Sequence, residues 1–585
     1  MSNAPVPPHL SRRAVLGSSA AAGLALTAAP AFARRPGRKA VVLGGGMAGL
    51  TAAHELIERG YRVTVFEPSA WGGKARSIPV PGTARGGRRN LPGEHGFRFF
   101  PGFYHHVPNS MRRIPFGKGT VGDHLAAATT GKFLRANGRA DGFVFGIGPD
   151  PEQLLTPEGL RRYLMDTLRG STVPPHELVW FVERLLVFLT SCDERRMGQW
   201  EHRSWWDFIG ASTRSKEYQT VLASGLTGSL VAARADLAST RTIGNMGEAF
   251  VLNMLNRGND GELDRVLDLP TNEAWINPWM KHLRQLGVRF VRGQALERYV
   301  VKGGRIEAAV LRSASGKRKR VEADWFVSAM PVERARETLT APVLKRAPSL
   351  RHLDKLRPDW MVGIQYFLTE RVDLAHGHIS FIDAPWALTA LTQAQFWGGR
   401  NLPKDYGDGK VKDILSVDIS NWDAPGIVYG KPAKRCTPQQ IATETLAQIR
   451  AHDTAGAKLP DRIFHSWFLD PGVKWNPRTR RNSNATPLLI NTVGSWQHRP
   501  EAVTEIPNLF MSGDFVRTDI DLATMEGANE SARAAVNGIL EEHGSKAERV
   551  QTFTLYNPPE FEPLKAIDRQ LYRAGLPNAL DLPLL

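Results

Sequence analysis

The chain has 585 residues, more than one ordinary hydrophobic core organises, so two or more domains are expected. Hydrophobic residues make up 42% and charged residues 23%, the balance of a soluble globular protein, and outside the N-terminus no apolar run approaches the roughly 18 residues that a spanning helix needs. The formal charge of +17 is dispersed, with only a short cluster at Lys317–Arg320, which speaks against nucleic-acid binding and leaves weak peripheral contact with an anionic membrane open.

At the N-terminus, SRRAVLG (Ser11–Gly17) sets Arg12 and Arg13 before a modest Ala/Gly/Leu run. The run ends at AFA, with Ala31 and Ala33 at the small-residue positions of a cleavage site. Residues 1–33 resemble a twin-arginine export signal. A basic tail or an uncleaved anchor is the alternative. The resemblance implies handling by the twin-arginine translocase and a periplasmic, cell-envelope or extracellular location. That route carries folded proteins, which suits a chain that takes up its cofactor first.

Next comes KAVVLGGGMAGLTAAHELIERGYRVTVFEPSAWGGKARS (Lys39–Ser77). Lys39–Leu43 reads as a short buried strand, Met47–Arg59 as a helix with Leu50, Ala53, Leu56 and Ile57 on one face, and Arg62–Phe66 as a second strand ended by Glu67. Gly44, Gly46 and Gly49 fit G-x-G-x-x-G, with Met47 and Ala48 filling the x-x step. Gly44 permits the tight turn, Gly46 lets backbone approach a pyrophosphate at the helix N-terminus, and Gly49 lets helix pack on strand. Glu67, about twenty residues after Gly49, is placed to accept from ribose hydroxyls. This spacing reads as a dinucleotide site, for NAD or FAD alike. The following Gly72 and Gly73 offer further N–H groups to phosphate, with the cations Lys74 and Arg76 close behind.

That second glycine pair resembles the GG motif of the amine oxidase and carotenoid desaturase superfamily of FAD enzymes, and the likeness extends over most of the chain. PGEHGFRFFPGFY (Pro92–Tyr104) is similar to the segment passing the flavin ring in the phytoene desaturase branch, which implies that His95, Gly96, Phe97 and Arg98 lie near the isoalloxazine. GVRFVRGQALERYV (Gly287–Val300) resembles a strand pair whose turn touches adenine, implying that role for Ala295 and Leu296. ADWFVSAMP (Ala323–Pro331) looks like the strand returning to the dinucleotide. Asn508–Leu540 resembles the last FAD motif: Gly513 and Asp514 for the ribityl chain, then a helix opening on Met525, Glu526, Gly527 and Ala528 toward the flavin pyrimidine. The family often has Ser-Gly after this turn, whereas this chain has Ser531-Ala532. The expected fold is α/β, a discontinuous Rossmann-type FAD domain (38–112, 242–338 and 494–543) with a mixed α+β substrate domain (113–241 and 339–493) and a tail (546–585).

In the substrate domain, Glu177–Ser191 has a wide apolar face, and SWWDFIG starts a helix that Ser204 can cap. Met361–Glu370 and Trp386–Trp397 mix β-formers with aromatics. Trp180, Trp205, Trp206, Trp386, Trp397 and Trp467 read as core ahead of tunnel lining. In the tail, Pro563–Arg573 is a helix candidate expected on the outside. Cys192 and Cys436 read as buried thiols ahead of a single disulfide, and the FAD segments contain neither, so FAD is expected to be noncovalent. No metal site is expected, and His105 and His106 lack partners for one.

A flavin takes the electrons itself, so hydride removal to its N5 demands no nucleophile or acid–base pair of the protein. Trp496 and His498 are the catalytic-pocket candidates. The resemblance implies an exported FAD-dependent oxidoreductase that dehydrogenates, desaturates or isomerises a small apolar, isoprenoid-like substrate. A secreted amine or amino-acid oxidase is the second reading and a non-catalytic flavoprotein the third.

Overall fold

The computed structural model describes residues 39–136, 144–145, 156–168, 170–230 and 232–581. The expected export signal lies outside them. Lys39–Leu43 (β1) leads through the glycine turn into Met47–Glu58 (α1), and Arg62–Glu67 (β2) returns beside β1. His106–Arg112 (α2) and Thr240–Met254 (α3) follow, then Arg289–Arg292 (β3) and Trp325–Ser328 (β4). Leu509–Met511 (β5) and Met525–Glu542 (α4) complete the unit. The sheet order is β3-β2-β1-β4-β5, parallel throughout. Its strands are short apolar runs because both faces are covered, and Val41, Val42, Val65, Phe326, Val327 and Leu509 are buried in one core. This is a Rossmann-like unit.

The second layer is mixed. Among the described residues, a seven-stranded sheet runs in the order 464–469, 362–368, 413–419, 388–392, 379–381, 131–134, 144–145. A helical region accompanies it, in which Pro175–Leu189 carries its proline in the first turn. Ser204 caps as expected, its Oγ accepting from Asp207 N at 3.1 Å. Trp205, Trp386 and Trp397 are buried in cores.

Gly287–Val300 holds a strand pair: after β3 the chain turns at Gly293 (φ +80°) and Gln294–Lys302 joins a separate three-stranded sheet. The tail helix, Glu562–Arg573, packs on the outside, with Lys565 and Asp568 as its buried residues. It sends Asp568 to Arg195 at 2.9 Å, with both side chains almost fully buried. Cys192 and Cys436 are free and buried. No described helix is long and apolar enough to cross a membrane.

Candidate functional site

The glycine turn is held by contacts that exclude side chains. A Cβ on Gly44 would lie 2.2 Å from Ala329 O, and one on Gly49 would lie 1.9 Å from Gly44 O. Gly72 and Gly73 fold against this turn, where a Cβ on Gly73 would come within 2.9 Å of Gly46 Cα. Met47 and Ala48 open α1 and are buried. The Glu67 carboxylate is largely committed: Oε2 accepts from Gly45 N (2.9 Å), and Oε1 from Ser69 N (2.8 Å), Ser69 Oγ (2.9 Å) and Ala70 N (3.2 Å). It therefore organises the glycine loop directly. Gly293 N donates to Glu67 O at 2.7 Å, which brings the segment bearing Ala295 and Leu296 alongside. Lys74 pairs with Glu333 at 3.1 Å, and Arg76 donates back to Gly73 O, buttressing the glycine turn. Burial raises the Asp514 carboxyl against the pull of Lys74 and Arg499. Gly513 N donates to Ser531 Oγ at 2.9 Å, fixing the Gly513–Asp514 turn on α4.

A cavity of about 370 Å³ is lined by a second set of residues. His95, Gly96, Phe97 and Arg98 line it on one side, and Thr524 and Met525, at the start of α4, line it on another. Phe99, Phe103, Met246, Phe250 and Leu522 supply apolar walls. Thr524 Oγ1 accepts from Gly527 N at 3.0 Å, capping α4 and leaving its positive end beside the cavity. His95 is fixed by Asp470, Nδ1 to Oδ2 at 2.9 Å. Arg98 pairs with Glu94 at 3.5 Å.

Acidic groups and a histidine also line this space. Asp418 sits against Gly96, where a Cβ would be 2.5 Å from Oδ1. Burial pushes its carboxyl up to about 7, although Arg98 and His378 pull the other way. His378 Nδ1 meets Asp264 Oδ2 at 2.6 Å, and both residues line the cavity. The sequence marked neither. Asp264 and His378 lie on different elements, 114 residues apart, and no local spacing joins them.

Three sequence expectations are corrected here. Trp496 does not line the cavity: its ring lies among Arg241 (4.1 Å), Arg517 (5.8 Å) and Arg499 (5.9 Å), and its backbone N donates to Glu201 Oε1 at 2.9 Å. His498 is also outside, its Nδ1 3.1 Å from that of His352 at the surface. The short turn 496–498 faces outward, while Leu488–Asn491 before it reaches the cavity. Glu526 turns its carboxylate away, onto His106 and the N-terminus of α2, so only its backbone stays with the expected flavin-binding turn. Gly527 and Ala528 continue the first turn of α4, with Gly527 packed on Ile520 O.

Outside the cavity, His54, Glu58 and His282 bring ligand-type atoms within 4.8 Å of one another. Trp279 Nε1 donates to His54 Nδ1 at 3.1 Å, which puts the imidazole proton on Nε2, facing Glu58 at 3.1 Å. A proton there occupies the lone pair a metal would need, so His54 is set to pair with Glu58, while His282 packs edge-on against its ring at 5.4 Å.

Residues 42–114 match the family model described as NAD(P)-binding Rossmann-like domain. A 95-residue stretch is 35% identical to carotenoid phi-ring synthase of Chlorobaculum tepidum, covering 16% of this chain and 13% of that protein. Among solved structures, an oxidoreductase from Methanosarcina mazei aligns over 86% of this chain and 100% of its own (TM-score 0.53, 14% identity). Cyclohexylamine oxidase from Brevibacterium oxydans aligns over 87% and 100% (TM-score 0.53, 13% identity). A cofactor-binding variant of putrescine oxidase aligns over 86% and 99% (TM-score 0.56, 12% identity). At these identities the likeness is one of fold, a Rossmann-like parallel sheet joined to a mixed α/β layer.

Proposed function

We propose that this chain is an FAD-dependent oxidoreductase of the amine oxidase and carotenoid desaturase-like group, acting on a lipophilic, isoprenoid-like substrate. The observation that carries the reading is the mainly apolar cavity bounded by the two segments, His95–Arg98 and Thr524–Met525, whose motifs imply the isoalloxazine. Its size is that of a small-molecule site. The Gly44–Gly49 turn, Gly72–Gly73, Lys74 and Asp514 would hold the dinucleotide, with Ala295 and Leu296 beside the adenine. Bound FAD supplies a two-electron acceptor. The chain's own part is to orient the substrate, exclude water and manage protons. No cysteine enters the cradle, which favours noncovalent binding.

The test is anaerobic bleaching of the flavin absorbance in purified protein. One pool holds detergent-dispersed isoprenoids and unsaturated lipids, the other amines and amino acids. Bleaching by the first pool alone supports the proposal; bleaching by amines alone replaces it with an amine oxidase. That second reading rests on Asp418, an acid in the cavity able to accept an ammonium group. Glu67→Ala is expected to purify with markedly less flavin, because the loop that faces the phosphates loses its organiser. Equal flavin content would count against that role.

Peripheral membrane contact belongs to the same proposal. Ile427 and Val428 are 54% and 51% exposed. Their loop is rigidly held, since the buried Glu444 carboxylate accepts from Ile427 N, Val428 N and Tyr429 N. Lys431 and Arg435 are exposed beside it, and Lys434 bridges to Asp359, a cavity-lining residue, at 3.2 Å. An anionic bilayer suits this apolar tip with cationic flanks. Replacing Ile427 and Val428 together by Ser should reduce co-sedimentation with anionic vesicles several-fold and leave flavin content unchanged. Undiminished co-sedimentation would move the contact elsewhere. Export by the twin-arginine route is the companion proposal, tested by replacing Arg12 and Arg13 with Lys and following secretion.

A further inference from the structure

The geometry points to Asp264 and His378 as an imidazole–carboxylate dyad that takes a proton from the substrate in the cavity. It rests on the oxidoreductase reading for its purpose, though not for its geometry. Asp264 lies just before the strand Arg265–Leu267, and His378 just before the strand Ile379–Phe381. Two distant segments thus converge on one hydrogen bond, His378 Nδ1 to Asp264 Oδ2 at 2.6 Å. The imidazole is held between the rings of Phe97 and Phe99, at centroid distances of 4.8 and 5.0 Å. Phe97 belongs to the segment that the motifs assign to the flavin ring. The dyad therefore packs on the segment whose motif implies the flavin ring.

The bonding pattern fixes the roles. A carboxylate can only accept, so Nδ1 carries the proton and donates to Asp264. Nε2 is then left with a lone pair; it is itself buried and meets no protein partner. The side chains of His378 and Asp264 keep 16% and 15% of their surface accessible, and both residues line the cavity. An oriented imidazole with its second nitrogen unpaired is the arrangement of a general base. Charged groups near it are Asp264, Asp418, Arg98 and Glu94, together with Lys132, a cavity-lining residue whose backbone N donates to His378 O at 2.9 Å. Asp264 also stabilises the imidazolium that proton uptake creates.

The chemistry balances. When a CH–CH unit becomes C=C, one carbon gives up a hydride, whose two electrons go to the oxidised flavin, and the neighbouring carbon gives up a proton, here to His378 Nε2. An ammonium substrate would likewise have to lose one proton before oxidation, to the same nitrogen. The proton then leaves to water when product departs. His378 is the catalytic residue in this scheme and Asp264 the positioning residue.

The test uses the full chain with its bound flavin, labelled with 15N-histidine, as wild type, His378→Gln, Asp264→Asn and Asp264→Glu. In wild type, an imidazole Nδ1–H resonance shifted downfield by the carboxylate should be present and absent from both His378→Gln and Asp264→Asn. For the neutral ring, the 15N shifts should report the Nδ1–H tautomer. A neutral ring with its proton on Nε2 overturns the proposal, with or without a known substrate. In single-turnover anaerobic bleaching, His378→Gln should slow the reaction by roughly 10²–10⁴-fold at unchanged flavin content and remove one ionisation from the pH–rate profile. Asp264→Asn should do the same more weakly, with partial rescue in Asp264→Glu. A rate and profile matching wild type in His378→Gln overturn the role. If no pool bleaches wild-type flavin, it is the oxidoreductase reading that fails, and the tautomer still decides the dyad.

Discussion

Glu526→Ala is expected to cost about 3–5 kcal/mol of stability, the range for removing one side of a buried charged contact. The carboxylate is almost fully buried at the start of α4. It accepts from His105 N (2.8 Å), His106 N (2.6 Å), Val107 N (2.9 Å) and His106 Nδ1 (2.9 Å). Three backbone donors at the start of α2 and one imidazole thus depend on one side chain. His106 Nε2 in turn accepts from Phe553 N at 3.0 Å, so the tail is tied to the same point. Alanine would leave these donors buried without acceptors. Burial alone would raise the Glu526 carboxyl, but His106 and the backbone N–H groups outweigh it and hold it below the ordinary value of 4.5. A depressed carboxyl stabilises the fold above its unfolded pKa and loses that contribution as pH falls through the folded value. The gap between wild type and variant should therefore narrow below about pH 4.5. Denaturant unfolding at neutral and acid pH checks both points. A loss under about 1 kcal/mol at neutral pH would contradict the cap.

Gly49→Val should nearly abolish flavin binding and leave little soluble protein. The first added carbon would lie 1.9 Å from Gly44 O, which is backbone and cannot swing aside. Gly44 is itself pinned, at φ +120° and against Ala329 O. Relief requires α1 to move off β1 and carry the glycine turn with it. Gly49→Ala should act in the same direction, since the offending atom is the Cβ. Gly247→Ala is the matched control: a Cβ there meets nothing within 4 Å, and a helical glycine replaced by alanine gains up to about 1 kcal/mol. Normal flavin content in Gly49→Val would refute the close helix–strand packing.

These two sites differ in how far the sequence reveals them. Gly44, Gly46 and Gly49 are legible because the turn, the helix start and the helix–strand contact are local, and each demands a missing side chain at a fixed offset. The Rossmann strands are legible for the same reason: short apolar runs in the right order leave few topologies. Glu526 shows the limit. Its motif placed the backbone turn correctly, but the choice of partner was made by His106, 420 residues away. The Asp264–His378 pair is another long-range meeting that no spacing encodes. Trp496 and His498 misled because aromatic and titratable character does not say which way a short turn faces. Gly287–Val300 contained its two strands as expected, but the single positive-φ step at Gly293 sends them to different sheets.

If this fold holds FAD as proposed, heat denaturation releases it. Purified protein is denatured, and the released small molecule is separated and identified by its absorbance and mass. About one FAD per chain in the supernatant, with none retained on the precipitate, is the predicted result. A colourless protein that takes up no added FAD, or one that releases a nicotinamide dinucleotide instead, would contradict the account.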